Sequence, residues 1–335
     1  MAEPLLDVIH LTTVFDTTRG TVPAVDDVSV QFIAGETLGL VGESGSGKSV
    51  TALSIMRLVQ PPGRIAGGRI LFKGRDLLTL PPREIQSVRG ADIALIFQEP
   101  ATALNPVFTI GNQIAETLVV HGRATKRAAK DRAIELLHAV RIPDAAARID
   151  DYPHQLSGGM QQRVLIAMAL ACKPSLVIAD EPTTALDVTI QAQVLDLLRE
   201  MKAAFHLSLL LITHDLGVIA ETADRVAVMY AGRIVETGPV RAIFRDPQHP
   251  YTRGLLASIP GGTPGRRLRA IDGSVPLLGA LPPGCAFNPR CPDRFDPCTS
   301  QPPAEYIVGP DHAVRCYLRD EAFGPAKTGH LVREK

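Results

Sequence analysis

TLGLVGESGSGKS, residues 37–49, decides the reading of the fold. Its first part, TLGLVG, is a short apolar run of the kind that forms a parallel strand buried on both faces. It runs straight into GESGSGKS, residues 42–49, and then into VTALSIMRLV, which has helical periodicity. Strand, glycine loop and helix in that order are the setting that the pattern GxxxxGK(S/T) requires. Gly42, Gly45 and Gly47 let the backbone curl until its N–H groups face one point, at the positive end of the helix dipole. Phosphate oxygens belong at that point. Lys48 is placed to reach the β and γ phosphates and the Ser49 hydroxyl to hold Mg2+. Gly42, Ser44, Gly45, Gly47, Lys48 and Ser49 are therefore the expected nucleotide-binding set of this loop. The bland alternative is a chance glycine-rich turn, and both flanks argue against it.

A second strand, LVIAD (176–180), ends in a carboxylate and is followed by Glu181. Apolar residues closed by Asp are the pattern of a buried strand that delivers a Mg2+ ligand at its C-terminal edge. Asp180 is expected to complete the metal site. Glu181, one residue on, is placed to polarise an attacking water. Taken without the glycine loop, the same two residues would read as a solvated acidic pair.

Further residues narrow the class. LSGGMQQR begins at Leu156 and precedes the helical stretch VLIAMALA. Gln98 lies in IFQEP at the end of an apolar strand, Asp187 in TALD, His214 in LLLITHD, and Phe15 in the first expected strand. In these elements and their order the chain resembles the ATP-binding cassette (ABC) ATPases. The resemblance implies an α/β fold with a phosphate-loop core and a helical subdomain. It also implies that Gln98 is the glutamine that senses γ-phosphate and Mg2+, and that His214 contacts the γ-phosphate. Glu181, His214 and Gln98 are then the catalytic group, Ser49, Gln98 and Asp180 surround Mg2+, and Phe15 stacks on adenine. A lone Phe on a strand is more often core. Ser157, Gly158 and Gly159 open a second helix with exposed N–H groups, which also favours anions. The resemblance places them, with Asp187, on the nucleotide of a facing subunit, so that two chains sandwich two ATP molecules. Met160 departs from the Gln that many members have after the glycines.

Between Gln98 and Leu156, TIGNQIAETLVVHG and KRAAKDRAIELLHAV have helical periodicity and no strand signal, which sets the helical subdomain at about residues 100–160. The remaining choice is between the energising subunit of a transporter and a soluble cassette ATPase of DNA repair or translation. No sustained heptad run is present for a coiled coil. The chain has one phosphate loop and one LSGG. GESGSGKSVTALSIMRL, FQEPATALNP, HPYTRGLLASIP (249–260) and a cysteine-bearing tail together resemble the ATP-binding subunits of oligopeptide/dipeptide (and nickel) importers. That implies a cassette over 1–245, an importer-type extension over 246–335, and peptide as solute, with nickel or another small solute as the alternative. Expected partners are two transmembrane permease subunits, an extracytoplasmic solute-binding protein, and either a second homologous ATPase subunit in a heterodimer or a second copy. Ser46 and Val50 resemble the first of the family's two paired ATPases. The expected place is the cytoplasmic face of the bacterial cell membrane, peripherally bound.

Four of the five cysteines fall late in the chain, as Cys285, Cys291, Cys298 and Cys316. Four thiolates suit either tetrahedral Zn2+ or a 4Fe–4S cluster. Neither short spacing is a tight zinc hook, and loops punctuated by Pro289, Pro292 and Pro297 wrap a larger object more easily. The resembling importer subunits are associated with such a cluster in this tail. Arg290 and Arg315, each beside a cysteine, are expected to offset its charge, and its expected role is that of a staple for a tail with little core. Cys172, in MALACKP, reads as an inert residue of an apolar helix.

The bulk numbers agree with these expectations. The chain has 335 residues, 45% of them hydrophobic, so it can bury a large core. Its 35 basic and 35 acidic residues cancel, which argues against a nucleic-acid partner. MAEPLLDVIHL has no basic stretch followed by a long apolar run, and no segment approaches bilayer length. The composition reads as a soluble intracellular protein.

Overall fold

The computed structural model describes residues 3–18, 20–184, 186–259 and 271–323. Parts of the expected extension, 260–270 and 324–335, lie outside that range. In chain order the strands are β1 (Leu6–Thr17), β2 (Gly20–Phe32), β3 (Thr37–Val41), β4 (Gly63–Phe72), β5 (Arg75–Asp76), β6 (Ile93–Ile96), β7 (Leu176–Asp180), β8 (Ser208–Thr213), β9 (Arg225–Tyr230), β10 (Arg233–Pro239), β11 (Tyr306–Gly309) and β12 (His312–Val314). Among the described residues no helix is long and apolar enough to cross a membrane. The chain divides into two compact units. One holds residues 1–5, 33–37 and 76–212, and the other 6–32, 38–75 and 213–335.

In the first unit β6, β7 and β8 run parallel, with Ile93 opposite Leu176 and Leu176 opposite Ser208. Every residue of β7 and β8 is buried. That is why LVIAD and SLLLIT lack polar alternation: both faces are covered. Among the described residues no strand lies between Ile96 and Leu176, and helices fill the interval as the periodicity predicts. The helices Ile110–Val120, Lys126–Ala139, Gly158–Leu170 and Val188–Phe205 each start on a side-chain cap. Thr109, Thr125, Ser157 and Asp187 accept from the N–H groups of Asn112, Ala128, Met160 and Ile190. Each cap satisfies a donor that the helix cannot satisfy internally. Cys172 departs from expectation. Its helix ends at Leu170, and the thiol sits in the turn beyond, buried, 3.7 Å from the Thr117 carbonyl oxygen. Burial pushes its pKa up.

In the second unit β1 pairs antiparallel with β2 and with β4. β3 pairs parallel with β9, which continues antiparallel through β10, β12 and β11. All of β3 is buried, and Gly39 within it leaves room for Ile219, whose Cδ1 would lie 2.6 Å from a Cβ there. The helix after the glycine loop covers Lys48–Ile55, shorter than VTALSIMRLV predicts. Arg57 takes a left-handed φ of 51°, and the Leu58 N–H closes back on the Leu53 carbonyl at 2.7 Å. Pro61 and Pro62 follow, and the residue before a proline is driven out of helical geometry.

The C-terminal region packs onto β9 and β10. Tyr230, Tyr251 and Phe287 pack ring on ring, with centroids 4.6 to 5.4 Å apart. Beside them the fully buried Glu236 carboxylate accepts from the N–H groups of Gln248 (2.7 Å) and His249 (2.9 Å) and meets the His312 ring at 2.9 Å.

Candidate functional site

The phosphate loop belongs to the second unit and follows β3 directly. Gly45 and Gly47 have φ of 77° and 103°. At Gly47 a Cβ would come within 2.4 Å of the Ala24 carbonyl oxygen, so both conformation and space call for glycine. The Ser46 carbonyl accepts from Gly232 N–H at 2.9 Å, which ties the loop to the turn between β9 and β10. Lys48 is buried, and its ammonium donates to the carbonyl oxygens of Gly42 (2.9 Å) and Glu43 (3.1 Å). Those bonds hold a cation against the start of the loop. Ser44 and Gly45 are exposed. Phe15 is half-buried on β1 opposite Gly63 of β4, where a Cβ would sit 2.6 Å from the ring. His214 is exposed just after β8. Asp215 beside it caps the helix Leu216–Thr222 through Gly217 N–H at 2.7 Å.

The first unit carries the carboxylates. Asp180 ends β7 and is buried. Glu181 follows at φ 45°, held there by its N–H bond to the Ile212 carbonyl at 2.9 Å. Its Oε2 accepts from Gln98 Nε2 (3.1 Å) and Thr184 Oγ1 (2.8 Å). Gln98 and Glu181, 83 residues apart, thus meet directly. Thr184 was not singled out from the sequence. A hydroxyl three residues after a strand-end carboxylate is a local signal that could have marked it. Ser157 and Gly158 are exposed at a helix start. Gly159 faces Ile190, whose Cγ2 would lie 2.7 Å from a Cβ. Asp187 caps the helix that carries Ile190, so both sequence motifs open helices that pack on each other.

The four late cysteines are free thiols that line one small cavity of the second unit, whose volume of about 10 Å3 is room for roughly one water molecule. His249, Phe287 and Tyr317 share its wall. Burial pushes all four thiols up, Cys291 and Cys316 to about 12, and negative charge on neighbouring cysteines adds to the shift at all but Cys298. Among the described residues no group of three or more His, Cys, Asp or Glu side chains is arranged to hold a metal ion. Neither Arg290 nor Arg315 lines the cavity, contrary to the expected charge offset. Arg290 is taken by Glu43 at 2.7 Å and Arg315 by Asp27 at 3.0 Å. The His249 ring does face it. Its Nδ1 accepts from Tyr251 N–H at 3.0 Å, so the proton is on Nε2, which is buried without a partner.

A buried parallel strand feeding a phosphate loop and a strand-end Asp–Glu pair are shared by phosphate-loop ATPases, and the LSGG segment that opens the helix Gly158–Leu170 is what points to the ATP-binding cassettes. The family model for the ABC transporter matches residues 25–184, and that for the oligopeptide/dipeptide transporter C-terminal region matches 235–298. The ATP-binding cassette MJ0796, solved as a post-hydrolysis dimer bound to ADP and Pi, superposes with a TM-score of 0.63. The two chains are 26% identical over 70% of this chain and 99% of that one. The chain belongs to the ABC ATP-binding subunits of the oligopeptide/dipeptide importer family. It is 51% identical to the dipeptide transport ATP-binding protein DppD of Bacillus subtilis, over 95% of this chain and 96% of the relative. It is 52% identical to DppD of Haemophilus influenzae (93% and 95% covered) and to the oligopeptide transport ATP-binding protein AppD of Bacillus subtilis (95% and 97% covered).

Proposed function

We propose that this chain is the ATP-hydrolysing subunit that energises a membrane importer of dipeptides or oligopeptides. The observation that carries the reading is the convergence of Gln98 and Thr184 on Glu181 at the end of β7. Two donors fix one oxygen of the carboxylate, and the carboxylate is the base that takes a proton from water. Phe15 stacks on the base. The loop residues Gly42, Ser44, Gly45 and Gly47 surround the phosphates, Lys48 holds the β and γ groups, and His214 contacts the γ-phosphate. Ser49, Asp180 and Gln98 would hold Mg2+, which would neutralise charge on the phosphates. Ser157, Gly158, Gly159 and Asp187 serve the nucleotide of a facing ATPase subunit, either a homologue or a second copy. Two permease subunits provide the solute path at the cytoplasmic face of the membrane, fed by an extracytoplasmic binding protein. Residues 1–245 are read as the cassette and 246–335 as the importer-type extension, while the match to the C-terminal-region model begins earlier, at residue 235. The reading is tested by co-purifying the assembly and asking which solute stimulates ATP turnover. Stimulation by peptide supports it, and stimulation by a nickel chelate alone replaces the cargo.

We propose a 4Fe–4S cluster for the four late cysteines, a reading supported by their lining one cavity. Iron bound there would favour the thiolate form that burial otherwise opposes. Protein purified without air should carry about four irons per chain, measured by iron and sulfide assay. One zinc and no sulfide would contradict the cluster.

A further inference from the structure

Glu43 is the acidic residue of GESGSGKS, one position into the phosphate loop. A free carboxylate at the loop would repel the phosphate oxygens that the loop is built to hold. Its charge is answered from the C-terminal region. Arg290 Nη1 donates to Glu43 Oε2 at 2.7 Å and Nη2 to Oε1 at 2.9 Å, a bidentate fork. The arginine side chain is only 4% exposed. It is fixed by the Asp272 carbonyl (2.9 Å), by the Tyr230 hydroxyl (3.3 Å), and by the faces of Tyr230 and Phe287, 5.8 and 5.9 Å from the guanidinium carbon. The backbone of the same loop residue is held as well, because Glu43 N–H donates to the Tyr251 hydroxyl at 2.9 Å.

We propose that Arg290 and Tyr251 are positioning residues for nucleotide binding, which neutralise and hold Glu43 and so set the first turn of the phosphate loop for the triphosphate. This rests on the reading that residues 42–49 hold the phosphates. A tail that merely docked on the cassette would need no charge matched to the loop's own carboxylate. The guanidinium fork fits that carboxylate in plane, which a lysine ammonium cannot do. The C-terminal region thereby gains a part in binding ATP, separate from any role of its cysteines.

The test is titration of the full-length chain with a fluorescent ATP analogue and Mg2+. Arg290→Met leaves Glu43 uncompensated and should raise Kd about tenfold. Arg290→Met combined with Glu43→Gln should return Kd to within about twofold of Glu43→Gln alone, because the repelling charge is gone. Wild-type affinity in Arg290→Met, or a double variant as weak as the single one, overturns the proposal. Tyr251→Phe removes only the hydroxyl acceptor and keeps the ring in its cluster, so it stands in if Arg290→Met fails to fold. It should raise Kd about threefold at unchanged ring packing, and wild-type affinity there also overturns the proposal. Lys48→Ala separates the two ideas. Undiminished affinity in that variant sinks the loop assignment itself. Lost affinity there with normal binding in Arg290→Met sinks only the positioning role.

Discussion

Glu181 holds a left-handed backbone conformation at φ 45°, which costs a non-glycine residue about 1 kcal/mol or more. The bond from its N–H to Ile212 and the two donors on Oε2 keep it there. Replacing one oxygen by an amide preserves the shape and removes the base. Glu181→Gln should therefore lower single-turnover ATP hydrolysis by about 100-fold or more while ATP affinity stays within about twofold. Near-normal turnover would remove Glu181 from that role. His249 is the second informative residue. Burial, with help from Arg253, holds its pKa down at about 3. The unfolded chain takes up a proton at this ring below about pH 6.5, while the folded chain resists until far lower. Stability from this site is thus full above pH 6.5 and is lost progressively as pH falls toward 3. Asn at 249 can still accept the Tyr251 N–H but does not titrate. Between pH 7 and pH 5 the wild type should lose about 2 kcal/mol more than His249→Asn in urea denaturation.

The elements show what a sequence can and cannot announce. β3 and β7 were legible because strands covered on both faces leave unbroken apolar runs, and the glycine loop because its spacing is tied to one geometry. The helices between Gln98 and Leu156 were legible from their periodicity. Glu236 was not, since its partners are two backbone N–H groups at 248 and 249 and a histidine 76 residues on, a set with no local pattern. Arg290 was misread for a related reason: its neighbour in sequence is Cys291, but its partner in space is Glu43, 247 residues away. Caps allow a test that separates structure from function. Thr125→Ala and Ser157→Ala each remove a helix cap and should each cost about 1 kcal/mol of stability. Only Ser157→Ala should also abolish ATP turnover in the assembled importer. Equal turnover in the two variants would reduce Ser157 to a cap.

For the whole molecule the resemblance covered nearly the full chain, and the matches at 25–184 and 235–298 bear out its family. The C-terminal region was legible as an extension but not as a packed body. Its aromatic cluster of Tyr230, Tyr251 and Phe287 draws on β9, on the helix after His249 and on the cysteine segment, which are distant in sequence. The account as a whole requires ATP turnover to be coupled to a solute that this chain does not touch. The most direct measurement is the ATPase rate of the importer in lipid, with and without its peptide-loaded binding protein, for the wild type and for Glu181→Gln. The account predicts that peptide accelerates the wild type several-fold and leaves Glu181→Gln nearly inert although it still binds ATP. A rate indifferent to peptide, or one that survives the loss of the Glu181 carboxylate, would contradict it.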